Sequence, residues 1–249
     1  MDAYCITLDR TNPTRALATM REIERLGFKG QFVDGVNIKG QPLSKFKDLV
    51  STRAYRELLE GRQVHEALSG LGSLGCYLAH LNLWKLCASS DRPIAIFEDD
   101  AQFDRDAPQR LQSLLKEAEK YKFDILRLIY VPWSETVQVS PLLRRINLGQ
   151  SASAYILQPK AARVLVEHAL PAELQLDLYM DFCGLKYGLN QYYPNRPFHR
   201  PQTLPSTIGH SQVKQCQPLS CWVWMLWVII IVSMAFFGAA FYVNTNPAA

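Results

Sequence analysis

Between Cys221 and Val243 the chain carries no charged side chain. That run is long enough to cross a hydrocarbon core, which takes about 20 apolar residues. Trp222, Trp224 and Trp227 gather at one end of it and Tyr242 stands at the other, where amphipathic rings favour the membrane interface. A core helix of this length rarely lacks every charge, so the run reads as a transmembrane helix. The chain then divides into a domain over residues 1–217, a linker at 218–220, a span at 221–243 and a tail at 244–249.

Every charged side chain precedes the span, with Arg196, Arg200 and Lys214 the nearest cations, and the tail has none. The positive-inside rule therefore places the large domain in the cytoplasm, as a single-pass protein anchored at its carboxyl end. Residues 3–8 alternate like a first strand and offer no apolar export signal, which agrees with that placement. Cys216 and Cys221 flank the membrane entry, where a lipid can be attached; plain membrane-edge cysteines are the commoner case.

With 249 residues there is room for one sizeable domain plus appendages. The formal charge of +4 is spread over Arg144, Arg145, Lys160, Arg163 and the 196–214 segment, too thinly for a nucleic-acid partner. It suits anionic lipid head groups or a nucleotide diphosphate. The six cysteines, Cys5, Cys76, Cys87, Cys183, Cys216 and Cys221, form no C-x-x-C pair and have no companion histidine at zinc spacing, so they are expected reduced and unpaired.

Strand and helix patterns alternate along the domain, which favours an α/β fold. Strands are expected at 3–8, 31–34, 93–97, 124–130, 145–148 and 153–157. Helices are expected from Pro13 to Gly27, over 44–60, over 76–88 behind a flexible glycine-rich entrance at 70–75, over 108–121, over 159–168 and over 173–187. The prolines of 192–205 exclude a regular helix there. Residues 93–97 are wholly apolar, as a buried strand requires, and end abruptly in Glu98, Asp99 and Asp100.

Three adjacent carboxylates at a strand end repel one another unless water or a cation relieves them. Mg²⁺ or Mn²⁺ takes oxygen ligands and bridges carboxylates to substrate phosphates; a solvated acidic turn is the alternative. In open α/β sheets ligands gather outside the carboxyl ends of strands.

The helix carrying Gly75, Cys76 and His80, followed by the apolar strand and Glu98-Asp99-Asp100, resembles glycosyltransferase family 25, the lipooligosaccharide and collagen galactosyltransferase group. The likeness extends to residues 6–10 with Arg15, to 32–35, 124–128, 153–157 and 161–162, and so to most of 3–211. Ala79 stands where the family usually has serine before the histidine, and the membrane span is a second departure.

The resemblance implies a GT-A type fold, a nucleotide-sugar donor and a divalent cation. Asp100 would be the direct metal ligand, Glu98 would orient donor sugar or a metal-bound water, and Asp99 would lie beside the donor. Arg10 and Arg15 suit diphosphate oxygens, and Asp34 would lie near the nucleotide. His80 is either a donor contact or a satisfied core histidine.

Glu173, Asp177 and Asp181 recur every fourth residue, on one face of the expected helix. Asp177 is the first choice as general base and Asp181 the reserve. His210 would complete the metal shell or touch diphosphate, unless it is a plain loop residue.

The expected activity is transfer of a hexose, galactose first, from a UDP-sugar to a saccharide of a lipid-linked or cell-surface glycan, with inversion as in the family. The rivals are a metal-dependent phosphohydrolase using Glu98 to Asp100 and a catalytically silent membrane-tethered binding module.

Overall fold

A computed structural model of the chain describes residues 1–61, 67–132, 136–146 and 148–198. The transmembrane assignment, Cys216, Cys221 and His210 lie outside the described residues. Among the described residues no helix is long and apolar enough to cross a membrane.

In chain order the elements are β1 (Asp2–Thr7), α1 (Ala16–Arg25), β2 (Lys29–Asp34), a 3₁₀ turn (Leu43–Phe46), α2 (Thr52–Glu60), α3 (Leu71–Ala88), β3 (Ile94–Glu98) and α4 (Ala107–Lys120). They continue as β4 (Ile125–Arg127), β5 (Val131–Pro132), β6 (Val137–Gln138), β7 (Leu143–Arg145), β8 (Gly149–Gln150), β9 (Ala154–Leu157), α5 (Pro159–His168), α6 (Leu176–Tyr187) and β10 (Gln191–Pro194). The α/β expectation holds.

Eight strands form one sheet in the order β2-β1-β3-β9-β4-β10-β7-β6, and β5 pairs with β8 in a separate ribbon. β1 runs parallel to both neighbours, with Cys5 opposite Phe32 of β2 and Phe97 of β3. β9 is antiparallel to β3 and to β4, on either side of it. The chain leaves β1 to one side for β2 and returns to its other side for β3, so strand order reverses at β1, the place where such sheets open a crevice.

Both faces of the sheet are covered, as the apolar run of β3 requires. Ile94 and Ile96 face a core shared with Tyr77, Trp84, Leu165 and Met180 of α3, α5 and α6. Ala95 and Phe97 face the other core, with Ile23 of α1 and Leu111 and Leu114 of α4. The two-residue period of a strand divides the layers.

Several boundaries move under tertiary pairing. Residues 44–60, expected as one helix, split because Val50 bridges to Ala172 and the Leu49 carbonyl accepts from Ala172 N at 2.8 Å. Ser51 Oγ then accepts from Ala54 N at 3.1 Å and caps α2, the ordinary role of serine at that position. The same pairings, with a bridge from Ala67 to Leu174, hold 172–174 extended, so α6 starts at Leu176 rather than at Glu173.

α3 takes in part of the segment expected to be a flexible entrance. A Cβ on Gly75 would stand 2.3 Å from the Val36 carbonyl oxygen, so the glycine lets this helix approach the backbone after β2. Of the strand expected at 145–148 only Arg145 is in one, at the end of β7, while Ile146 and Leu148 lie outside strands. α1 begins at Ala16 because Asn12 Oδ1 accepts from the backbone of Thr14 and Arg15 at 3.1 and 3.0 Å, holding that turn outside the helix.

Candidate functional site

At the carboxyl ends of β1 and β3 lies a cavity of about 510 Å³. Its wall is built from Thr7 and Leu8, the segment 35–39 after β2, the first turns of α3, residues 98–102, the segment 150–153 before β9, and Asp177. Four carboxylates, Glu98, Asp99, Asp100 and Asp177, line it against the cations Arg15 and Lys39.

Arg15 reaches across from the entry of α1. Its Nη2 donates to Asp99 Oδ1 at 2.7 Å and to Asp100 Oδ2 at 2.9 Å, while Thr7 Oγ1 donates to Asp99 Oδ2 at 2.7 Å. Asp99 is thus held at both oxygens, and Arg15 organises carboxylates rather than standing free for phosphate. Burial, then the Glu98 carboxylate, pushes the Asp100 carboxyl up to about 6, against the pull of Arg15. One guanidinium beside three carboxylates leaves excess negative charge that a hard divalent cation would offset, so the residues present fit such an ion.

The buried side of the site rests on α3. His80 is wholly buried, and its Nδ1 lies 2.9 Å from Tyr155 Oη, which also accepts from Trp84 Nε1 at 2.8 Å. His80 Nε2 stands 3.4 Å from Glu98 Oε1 without making a hydrogen bond, and Cys76 Sγ lies 3.6 Å from the same oxygen. His80 is a buried core histidine that is absent from the cavity wall, with Nε2 turned to the Glu98 carboxylate.

The acidic stripe of 173–181 does not stay together. Glu173 precedes α6 and pairs with Arg53 on the surface. Asp177 lines the cavity; its Oδ2 accepts from Ser151 N and its Oδ1 from Leu178 N, both at 2.9 Å. Asp181, the reserve base, is absent from the cavity wall and 1% exposed. Its oxygens meet Arg127 Nη2 at 2.6 Å and Gly149 N at 2.9 Å. Burial raises its carboxyl to about 6 despite Arg127 and that backbone N–H.

Arg127, fully buried, also donates to the carbonyls of Ser151 and Asp177 at 3.2 and 3.0 Å. Ser151 sits at φ 84°, a left-handed conformation uncommon outside glycine. It is held there by bonds to Asp177 and Arg127, an arrangement typical of functional loops.

Arg10 and Asp34 pair with each other at 2.8 Å on the exposed surface and do not line the cavity. Thr7, Arg127 and Tyr155 lie inside the segments 6–10, 124–128 and 153–157 that carry the resemblance but had no role assigned from sequence, and Ser151 lies in no motif. Cys76 does have a companion histidine, contrary to expectation: His80 is one helical turn on, on the same face of α3, and both gather with Glu98.

Residues 1–180 match Glycosyltransferase family 25 (LPS biosynthesis protein). The chain belongs to that family. It is 30% identical over 187 residues to the Homo sapiens protein named inactive glycosyltransferase 25 family member 3, covering 72% of this chain and 30% of that one. It is 39% identical over 131 residues to procollagen galactosyltransferase 1-B of Xenopus laevis, covering 49% of this chain and 21% of that one. The chain spans about a third of the length of the curated relatives it matches. A looser likeness, with TM-score 0.46 and 14% identity over 80% of this chain and 91% of the other, is to UDP-glucose pyrophosphorylase complexed with UDP-glucose.

Proposed function

We propose that this domain is a GT-A type hexosyltransferase. It moves galactose, in the leading reading, from a UDP-sugar to a saccharide acceptor of a lipid-linked or cell-surface glycan. The observation that carries the proposal is the cavity at the β1/β3 reversal, in a family 25 chain, with Asp100 and Asp177 in its wall. Asp100, with Glu98 beside it, would hold a Mn²⁺ or Mg²⁺ ion, whose chemistry would be to neutralise the leaving diphosphate.

The chain's own residues do the rest. Thr7 and Arg15 hold Asp99, and Arg15 also holds Asp100 at one oxygen. Asp177, fixed by two backbone N–H groups, retains a lone pair on each oxygen to accept the proton of an attacking acceptor hydroxyl. The inverting outcome is proposed from family membership. The domain over 1–217 and an anchoring helix over 221–243 remain part of the proposal, with the domain on the cytoplasmic side beside a lipid-linked acceptor; a domain digested by protease added outside sealed cells would overturn it.

Purified full-length protein with a panel of UDP-sugars, Mn²⁺ and saccharide acceptors provides the test. Acceptor-dependent release of UDP, lost in Asp100→Ala, supports the transferase. Phosphate release without acceptor supports a hydrolase instead. The inactive designation of a Homo sapiens relative favours a silent binding module as the second reading, and donor binding without turnover would establish it.

A further inference from the structure

We propose that Cys76 Sγ, His80 Nε2 and Glu98 Oε1 form a site for a thiophilic divalent cation of the zinc class, next to the hard-cation place at Asp100 and sharing Glu98 with it. Among the described residues these side chains form the cluster whose three ligand atoms lie within 4.8 Å of one another. Cys76 and His80 come from successive turns of α3, and Glu98 comes from the end of β3. The site binds metal whether or not sugar transfer occurs.

Distances and chemistry agree with that ion. A tetrahedral zinc with bonds of about 2.3 Å to sulfur and about 2.0 Å to nitrogen and oxygen has edges of about 3.5 Å for S···O and about 3.3 Å for N···O. The observed edges are 3.6 Å for Cys76 to Glu98 and 3.4 Å for His80 to Glu98. His80 Nε2 is buried and makes no hydrogen bond there, so the contact with Glu98 is close without being satisfied, at a cost to a buried polar atom.

Around the cluster stands the support that a ligating imidazole ordinarily has. The other ring nitrogen, Nδ1, is tied to Tyr155 Oη, and Trp84 Nε1 donates to the same hydroxyl. Such a bond fixes the ring and leaves Nε2 as the ligand when Nδ1 carries the proton. Charge closes as well: a thiolate and a carboxylate balance a divalent ion with a neutral imidazole as third ligand, and the Cys76 proton leaves to solvent on binding.

Cys76 and Glu98 both line the cavity, so a fourth position opens toward it, for water or a substrate oxygen. Three protein ligands with one open position are the pattern of zinc sites that act on substrate rather than only brace the fold.

The test uses Co²⁺ as a coloured stand-in for zinc, added to chelator-stripped full-length protein. One equivalent is expected to give the intense near-ultraviolet absorption of a thiolate-cobalt bond. That band should vanish on Zn²⁺ addition and in Cys76→Ser, and persist in Asp100→Ala. No band, a band retained in Cys76→Ser, or a band lost in Asp100→Ala overturns the proposal. Zn²⁺ should also slow iodoacetamide alkylation of Cys76 in the unaltered chain by at least about tenfold, as mapped by peptide mass, since the bound thiolate is withdrawn. Equal rates with and without Zn²⁺ overturn it even if Cys76→Ser does not fold.

Discussion

Arg127 Nη2 lies 2.6 Å from Asp181 Oδ1, with both side chains wholly buried. The pair is a brace: Asp181 holds Gly149 N while Arg127 holds the Ser151 and Asp177 carbonyls. It therefore ties the 149–151 segment to the first turn of α6, where Asp177 faces the cavity. Arg127→Met leaves a buried carboxylate without its partner and is expected to cost about 3–5 kcal/mol, measured by urea unfolding. The double variant Arg127→Met with Asp181→Leu should recover most of that loss, because replacing both charges removes the uncompensated one.

Asp177→Asn keeps the shape of the side chain but cannot take a proton, and its amide nitrogen gives up one of the two backbone N–H bonds. Turnover should fall about 10²–10⁴-fold with the donor KM unchanged, as read from initial rates. Asp181→Asn should instead lower the unfolding midpoint, since it touches the brace and not the cavity. The opposite pattern would make Asp181 the base.

The carboxyl of Asp100 is raised from its ordinary 3.8 to about 6 in the folded chain. Between those values the native state keeps a proton that the unfolded chain has released, so this group's contribution to stability is full below about pH 4. It is lost as pH rises through about 6. The melting temperature of the wild type should therefore fall relative to Asp100→Asn as pH goes from 4 to 7. A constant difference across that range would contradict the assignment.

Gly75 brings α3 against the Val36 carbonyl. Gly75→Ala should cost about 1–3 kcal/mol through overpacking, and it should raise the KM for donor because the 35–39 segment walls the cavity. Thermal unfolding and initial rates check the two effects separately.

The apolar run before Glu98 forced a buried strand ending in acids, because such a run needs cover on both faces and the acids need the open end. The helices expected from Pro13 to Gly27, over 108–121 and over 159–168 likewise match α1, α4 and α5 within a few residues. The family was also legible, since the resemblance drawn from the motifs over most of 3–211 agrees with the family match over residues 1–180.

Only the tertiary structure decided what each acid does. Regular spacing could not separate Asp177 from Asp181, since burial depends on Arg127, which is 54 residues away from Asp181 in the chain. Nor could it show that Arg15 serves Asp99 and Asp100, that Arg10 pairs with Asp34 at the surface, or that Glu98 faces Cys76 and His80. Local patterns report which face of an element is apolar; which charge meets which is set by strand order and loop closure, through contacts between segments distant in the chain.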